Sequence, residues 1–197
     1  MPVLYYVRHG ETDFNVEGRL QGRRDTSLNA RGRQQATVCG DVLRDLFARD
    51  GRSVEDFDYV ASPLVRARQT MEILRAALGS DPRAYATDDR LMEISYGEWE
   101  GLTLPEIEVR MPGMLAERER DKWGFAPPGG ESYRELASRI GEWHAALTRD
   151  TVVVAHGGGV RALMAMFNVM PREAATHAHI AQGVVYVFAE GAMARYA

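Results

Sequence analysis

The sequence predicts an α/β fold, a three-layer α/β/α sandwich with a mostly parallel central sheet and a small lid insertion. Two observations carry that expectation. Runs rich in β-branched and aromatic residues at 3–7, 58–61, 151–154 and 183–188 read as buried strands. Between them, apolar residues recur at helical spacing, so strands and helices alternate along the chain. At 197 residues the chain suits one domain, spanning 1–197, with the insertion at about 102–128.

Each element has its own justification. The strand Val3-Leu4-Tyr5-Tyr6-Val7 passes directly into Arg8-His9-Gly10. The polar stretch 11–29 is too irregular for a helix. Asn29 caps a helix from about Ala30, whose apolar face is Ala36, Cys39, Leu43 and Phe47. The strand 58–61 ends in Ser62-Pro63, where serine suits the N-cap and proline the first helical residue. Leu64, Ala67, Met71, Leu74 and Leu78 follow at helical spacing until Gly79 stops the helix. A weak strand covers 84–87.

From 101 to 130 the pattern is broken by Pro105, Pro112, Pro127 and Pro128, which reads as an insertion over one face holding one or two short helices. Trp99, Trp123 and Phe125 supply its small core. Ser132 and Glu135 make a capping-box pattern ahead of Leu136, Ile140, Trp143 and Leu147. The strand 151–155 leads through His156 into a helix over 159–167. The late strand 183–188 pairs with 193–196 through a Glu190-Gly191 turn.

Composition narrows the function classes. A formal net charge of -4 argues against a generally basic nucleic-acid surface, while leaving room for an anionic substrate in a locally positive cleft. Lys122 is the only lysine, so the positive charge is almost all arginine, whose fork suits phosphate or carboxylate. Cys39 is the only cysteine, which excludes an intrachain disulfide and a cysteine metal cluster; its place on an apolar helix face reads as core. The start Met1-Pro2-Val3 lacks the pattern of a signal peptide, and no apolar run approaches a membrane span, so the expectation is a soluble, cytoplasmic protein without a membrane partner. His177-x-His179 lacks companion ligands and reads as two surface histidines rather than a metal site; His144 falls between apolar positions and is expected to be exposed. Gly157-Gly158-Gly159 is no nucleotide P-loop, because no lysine follows it.

Two core strands thus end in a histidine that passes straight into glycine, at His9 and His156. In open α/β sheets ligands bind beyond the carboxyl ends of the strands, so both imidazoles and Arg8 are expected at one crevice. Taken singly, either histidine reads more readily as one that hydrogen-bonds a turn.

Seven segments in order also resemble the histidine phosphatase superfamily, which includes the cofactor-dependent phosphoglycerate mutases. They are Arg8-His9-Gly10-Glu11-Thr12 with Asn15; Gln21-Gly22 with Asp25 and Leu28; Ser62-Pro63-Leu64-x-Arg66-Ala67-x-Gln69-Thr70; Leu91-x-Glu93; Gly97-x-Trp99-Glu100-Gly101; Pro128-Gly129-Gly130-Glu131-Ser132; and His156-Gly157-Gly158. The resemblance implies that His9 attacks phosphorus and is transiently phosphorylated, that Glu93 protonates the leaving oxygen, and that His156 donates to the phosphoryl group. Arg8 and Arg66 are suited to hold phosphate oxygens through charge-assisted bonds. They also disfavour the protonated form of His9. Asn15 and the amides of the glycine turns, Gly157 among them, would add neutral donors, as would the amides at the start of the helix over 159–167, although Asn15 could serve only as a turn or helix cap. Gln21, Gly22 and Arg23 complete the expected substrate contacts; Arg23 and Arg24 read equally as entrance residues or exposed loop arginines.

The mechanism so implied needs no metal and no cofactor. Glu93-x-x-Tyr96 is mutase-like, but the following segment 102–111 holds no lysine, with Arg110 a potential substitute. Gln21 and the segment 128–132 look more like the phosphatases, and Gln182 stands where the family carries asparagine. The expectation is a metal-independent phosphomonoester hydrolase acting on a small phosphorylated metabolite, with inorganic phosphate as a further ligand. The alternatives are a phosphoglycerate mutase, for which 2,3-bisphosphoglycerate would be the cofactor, and a non-catalytic phosphate-binding module. The sequence fixes no oligomeric state; a homodimer is open to it.

Overall fold

The computed structural model describes residues 2–189 and 191–197. Four strands run parallel: β1 (Leu4–Arg8), β2 (Asp58–Ala61), β3 (Ala86–Thr87) and β4 (Thr151–Ala155). β5 (Val185–Ala189) lies antiparallel to β1, and β6 (Ala192–Tyr196) antiparallel to β5. The sheet order is β3-β2-β4-β1-β5-β6, a mostly parallel sheet as expected, with its two longest parallel partners, β1 and β4, side by side. The expected Glu190-Gly191 turn falls partly on Glu190, which lies outside the described residues.

Side-chain alternation along β1 explains the layers. Tyr5 and Val7 face a core shared with α2 (Ala30–Arg49) and α3 (Val65–Ala77), through Cys39, Leu43, Phe47, Met71 and Leu74. Leu4 and Tyr6 face the other core, built with α6 (Tyr133–Ala145) and α7 (Gly157–Met166) through Leu136, Ile140, Trp143, Val160 and Leu163. Fully buried leucines such as Leu43 and Leu136 contribute about 1.5–3 kcal/mol each from transfer out of water. Asn29 caps α2 by accepting from the Gly32 amide, and Ser132 with Glu135 forms a reciprocal capping box on α6.

Several boundaries differ from the sequence pattern. The stretch 11–29 does contain one helical turn, α1 (Asp13–Val16), closed by a Thr12/Asn15 capping box. Ser62 is not the cap of α3: Leu64 holds that place and the helix starts at Val65, while the Ser62 hydroxyl pairs with His156 Nε2 and accepts from the Leu64 amide. α7 begins at Gly157, two residues early, with His156 at its N-cap. Only Ala86–Thr87 of the weak strand pairs. His144 is half-buried rather than exposed, its ring set edge-on to Phe167 at 4.9 Å.

The segment after Gly101 holds two short helices, α4 (Leu104–Arg110) and α5 (Met114–Arg120). Trp99, Leu102 and Ile107 form a separate small core there, with Phe125 against Trp99. Trp123 departs from expectation: it stacks on Tyr133 and packs against the main core. α8 (Arg172–His177) completes the helices, and His177 and His179 are both exposed. No helix among the described residues is long and apolar enough to cross a membrane.

Candidate active site

The parallel ladder places the two histidines side by side. Arg8 pairs with Ala155, and the His9 amide donates to the Ala155 carbonyl at 2.9 Å, so His9 and His156 leave adjacent strands at one level. Their ring centroids are 5.2 Å apart. The loop after His9 then presses onto the first turn of α2. A Cβ at Gly10 would strike the Gly32 carbonyl, and one at Gly32 the Glu11 carbonyl, so both positions require glycine.

His9 Nδ1 lies 2.7 Å from the Gly10 carbonyl oxygen. A carbonyl only accepts, so Nδ1 carries the proton and Nε2 bears the lone pair. Burial pushes the His9 pKa well below 6.5, with Arg66 and then Arg8 adding to the effect. The arginines act as expected, but burial is the larger cause. His156 is likewise held neutral, first by burial and then by Arg66 and His9. Its Nε2 lies 2.8 Å from Ser62 Oγ, and its backbone is fixed at both ends by the Tyr6 hydroxyl.

Arg66 is fully buried at the start of α3, and burial lowers its pKa to about 10, which leaves it cationic at neutral pH. It donates to the carbonyls of Gly22 and Arg24, so it also shapes the 22–24 loop. Arg8 donates to the Ile180 carbonyl at 2.6 Å. Neither guanidinium has a carboxylate partner among the described residues. Arg8 Nε, Arg66 Nε and His156 Nδ1 are buried and lack hydrogen-bond partners among the described residues. Two unsatisfied guanidinium N–H donors, with the unpartnered ring nitrogen of His156 nearby, suit an anion with several acceptor oxygens.

Arg8, His9, Asn15, Gln21, Gly22, Arg66, Glu93 and Gly157 line one cavity of about 120 Å³. That is room for roughly four waters, or a phosphoryl group and little more. Glu93 approaches from the loop before the insertion. Its Oε1 accepts from the amides of Ile94 (2.9 Å) and Gly158 (3.1 Å), and a Cβ at Gly158 would collide with it. The first turn of α7 therefore gives one of its amides, that of Gly158, to Glu93.

The remaining expected contacts divide. Asn15 lines the cavity, yet its Oδ1 accepts from Thr12 and Gln182, so the cap reading holds as well and only the Asn15 amide NH2 is left to present to a ligand. Gln21 is buried at the rim with Oε1 taken by Thr26. Arg23 is exposed and turns to Glu131 at 3.7 Å, outside the cavity lining; Arg24 is also exposed. Arg110 is exposed on α4 and does not line the cavity.

The structure adds Arg161 and Arg139, which sequence reasoning missed, and gives contacts to Tyr96 and Gln182, which it named only through the resemblance. Arg161, one turn into α7, lines the cavity and donates to the Ala178 carbonyl; Tyr96 lines it too, and burial raises its phenol pKa. Gln182 donates to the His9 carbonyl at 3.2 Å. Arg139 grips Glu131 through two bonds and the carbonyls of Arg90, Met92 and Glu93. Spacing could have suggested Arg161, which is one helical turn beyond Gly157. Nothing local marks Arg139. Among the described residues no group of three His, Cys, Asp or Glu is placed to hold a metal ion.

A model of the histidine phosphatase superfamily (branch 1) matches residues 4–192. The chain belongs to that superfamily. The glucosyl-3-phosphoglycerate phosphatase of Mycobacterium tuberculosis is 38% identical over 182 residues, covering 85% of this chain and 76% of that protein. A 2,3-bisphosphoglycerate-dependent phosphoglycerate mutase of Rhizobium meliloti is 28% identical, covering 94% and 88%. Among solved structures, the mycobacterial glucosyl-3-phosphoglycerate phosphatase in complex with VO3 superposes with a TM-score of 0.76 at 31% identity, over 95% and 90% of the two chains. The α-ribazole phosphatase of Shigella flexneri gives 0.78 at 25% identity, over 97% and 93%. The fold is thus that of the histidine phosphatases, with phosphatases prominent among the similar proteins.

Proposed function

We propose that this histidine phosphatase hydrolyses a small phosphorylated metabolite by passing its phosphoryl group through His9. One observation carries the reading: a neutral imidazole with Nδ1–H anchored to Gly10 shares a cavity with Arg8, Arg66 and Glu93. His9 Nε2 attacks phosphorus, the bond to the leaving oxygen breaks, and Glu93 in its acid form gives that oxygen a proton. Water then attacks the phosphohistidine with Glu93 taking its proton, releasing inorganic phosphate and restoring His9.

Arg8 and Arg66 hold the equatorial oxygens, where transition-state charge is spread. His156 donates through Nδ1–H while Nε2 accepts from Ser62. Asn15 and the Gly157 amide supply further donors, and Gln21, Gly22 and Arg23 shape the approach. Every role falls to a side chain or amide of this chain, so turnover is expected to survive excess EDTA and to need no added cofactor. The exposed position of Arg110 favours hydrolysis over the mutase reaction, because no basic residue of the insertion joins the cavity.

The test is phosphate release from p-nitrophenyl phosphate and a panel of metabolite monoesters in EDTA. Release expected from the wild type would be absent if the chain only binds phosphate. Release of phosphate only on addition of 2,3-bisphosphoglycerate, with isomerised phosphoglycerate as product, would favour the mutase.

A further inference from the structure

The five buried side-chain nitrogen and oxygen atoms without a hydrogen-bond partner among the described residues fall in two places. Three belong to Arg8 and Arg66, which line the catalytic cavity, and to His156, whose ring lies 5.2 Å from that of His9. The other two, Tyr59 Oη and Arg75 Nη1, belong to residues that line one groove of about 650 Å³, a volume within the usual range for small-molecule sites. The groove lies at the start of β2, the end remote from Ser62 and the histidines. Arg75 sits near the close of α3, the helix that Arg66 begins. The groove is therefore separate from the chemistry at His9.

Its origin is the brevity of β3. That strand pairs only with Val60 and Ala61, so it leaves the Asp58–Tyr59 edge of β2 uncovered, and the loop 79–85 forms the facing side. Arg75 is 6% exposed and Tyr59 8%. The Arg75 guanidinium lies 4.1 Å from the centre of the Tyr59 ring, and its Nε donates to the Asp81 carbonyl at 2.8 Å. These two contacts fix the fork while leaving its charge without a carboxylate partner among the described residues. Burial raises the Tyr59 phenol pKa despite the nearby Arg75, so the hydroxyl stays protonated and available as a donor. A buried cation and a buried hydroxyl, both preorganised and both unpartnered, call for an anionic acceptor.

The surroundings select which anion. Val54, Phe57 and Tyr85 give the groove an apolar lining. Asp58 is engaged by Arg149 at 2.9 Å, but Glu55 and Asp81 stand exposed at the rim. One inner cation ringed by acids favours a monoanion over a phosphate dianion. We propose that this groove is a second ligand site that takes a small carboxylic acid with an apolar body, its carboxylate held by Arg75 and Tyr59.

The experiment is calorimetric titration of the full chain with phenylacetate and hexanoate, in saturating inorganic phosphate so that the catalytic cavity is occupied. One-to-one binding is expected for at least one probe. Benzyl alcohol should not bind, and phenylphosphonate should bind more weakly than phenylacetate. Tyr59→Phe, which removes only a hydroxyl, should weaken binding several-fold, and Arg75→Met by about tenfold or more, the scale of a lost charge-assisted bond. Thermal melting of each variant checks that it folds, and Tyr59→Phe carries the test if Arg75→Met does not. The proposal is overturned if neither carboxylate binds the wild type at millimolar concentration, if Tyr59→Phe and a folded Arg75→Met bind as the wild type does, or if phenylphosphonate binds as tightly as phenylacetate.

Discussion

The two histidines, His9 and His156, and the carboxylate of Glu93 are held by different kinds of structure. The histidines are set by the backbone ladder of β1 and β4, with a main-chain bond from His9 to Ala155 continuing it. Glu93 sits in a loop: the amides of Ile94 and Gly158 hold its carboxylate, but its backbone is gripped by a side chain from elsewhere, Arg139 on α6, which takes the carbonyls of residues 90, 92 and 93 and is itself held by Glu131. A ladder distributes its support over many bonds and resists single substitutions. A loop clamped by one arginine does not. The nucleophile should therefore be robust in position and the proton donor sensitive to distant change.

Removing the nucleophile gives the largest effect. His9→Ala should lower kcat on p-nitrophenyl phosphate by about four orders of magnitude or more, as loss of a covalent nucleophile does elsewhere. Its melting temperature should stay near that of the wild type, because the β1–β4 ladder does not depend on the ring. A large drop in Tm would show the imidazole to be structural and break the contrast.

Glu93→Gln comes next. The amide oxygen can still accept from Ile94 and Gly158, so geometry is kept while the transferable proton is lost. The rate on alkyl phosphates should fall by about 10²–10⁴-fold, the range for general acid catalysis, with a much smaller loss on p-nitrophenyl phosphate. Equal losses on both substrates would remove the proton donor from the scheme.

Arg139→Met sharpens the comparison because Arg139 does not itself line the cavity and reaches it only through the Glu93 carbonyl. As a positioning residue it should reproduce the leaving-group pattern of Glu93→Gln at lower amplitude, roughly tenfold on alkyl phosphates. A loss that ignores the leaving group would mean the substitution merely loosens the fold.

The smallest effect concerns pH. His9 and His156 are held neutral, with folded pKa values below the ordinary 6.5, so the unfolded chain binds more protons between the folded values and 6.5. Stability should therefore fall as pH drops below about 6.5, and it should be insensitive to these groups above that value. Thermal melts of the wild type and of His9→Gln should separate the contribution: the slope below pH 6.5 becomes shallower in the variant. An unchanged slope would argue that His9 is not held neutral by the fold.

The parts legible in the sequence were those encoded by local pattern. Alternation and β-branching located β1 and β4, and strand ends followed by glycine located His9 and His156. Caps such as Asn29 and Ser132 sit where short-range chemistry puts them. Ser62 shows the limit. Its Ser-Pro pair suits a helix start, but a partner 94 positions away takes the hydroxyl, and the helix starts later. The same applies to Gly158, whose amide serves Glu93, to Trp123, which joins the main core, and to Arg139. These placements come from contacts between segments distant in sequence, which no local spacing encodes.

The most direct test of the central claim is rapid acid-free quenching of the enzyme with ³²P-labelled substrate, followed by mapping of the label. The account predicts a phosphoryl group on His9 that is stable to alkali, labile to acid, absent from His9→Ala and accumulated in Glu93→Gln with p-nitrophenyl phosphate. Turnover with no covalent label, or a label that persists in His9→Ala, would contradict it.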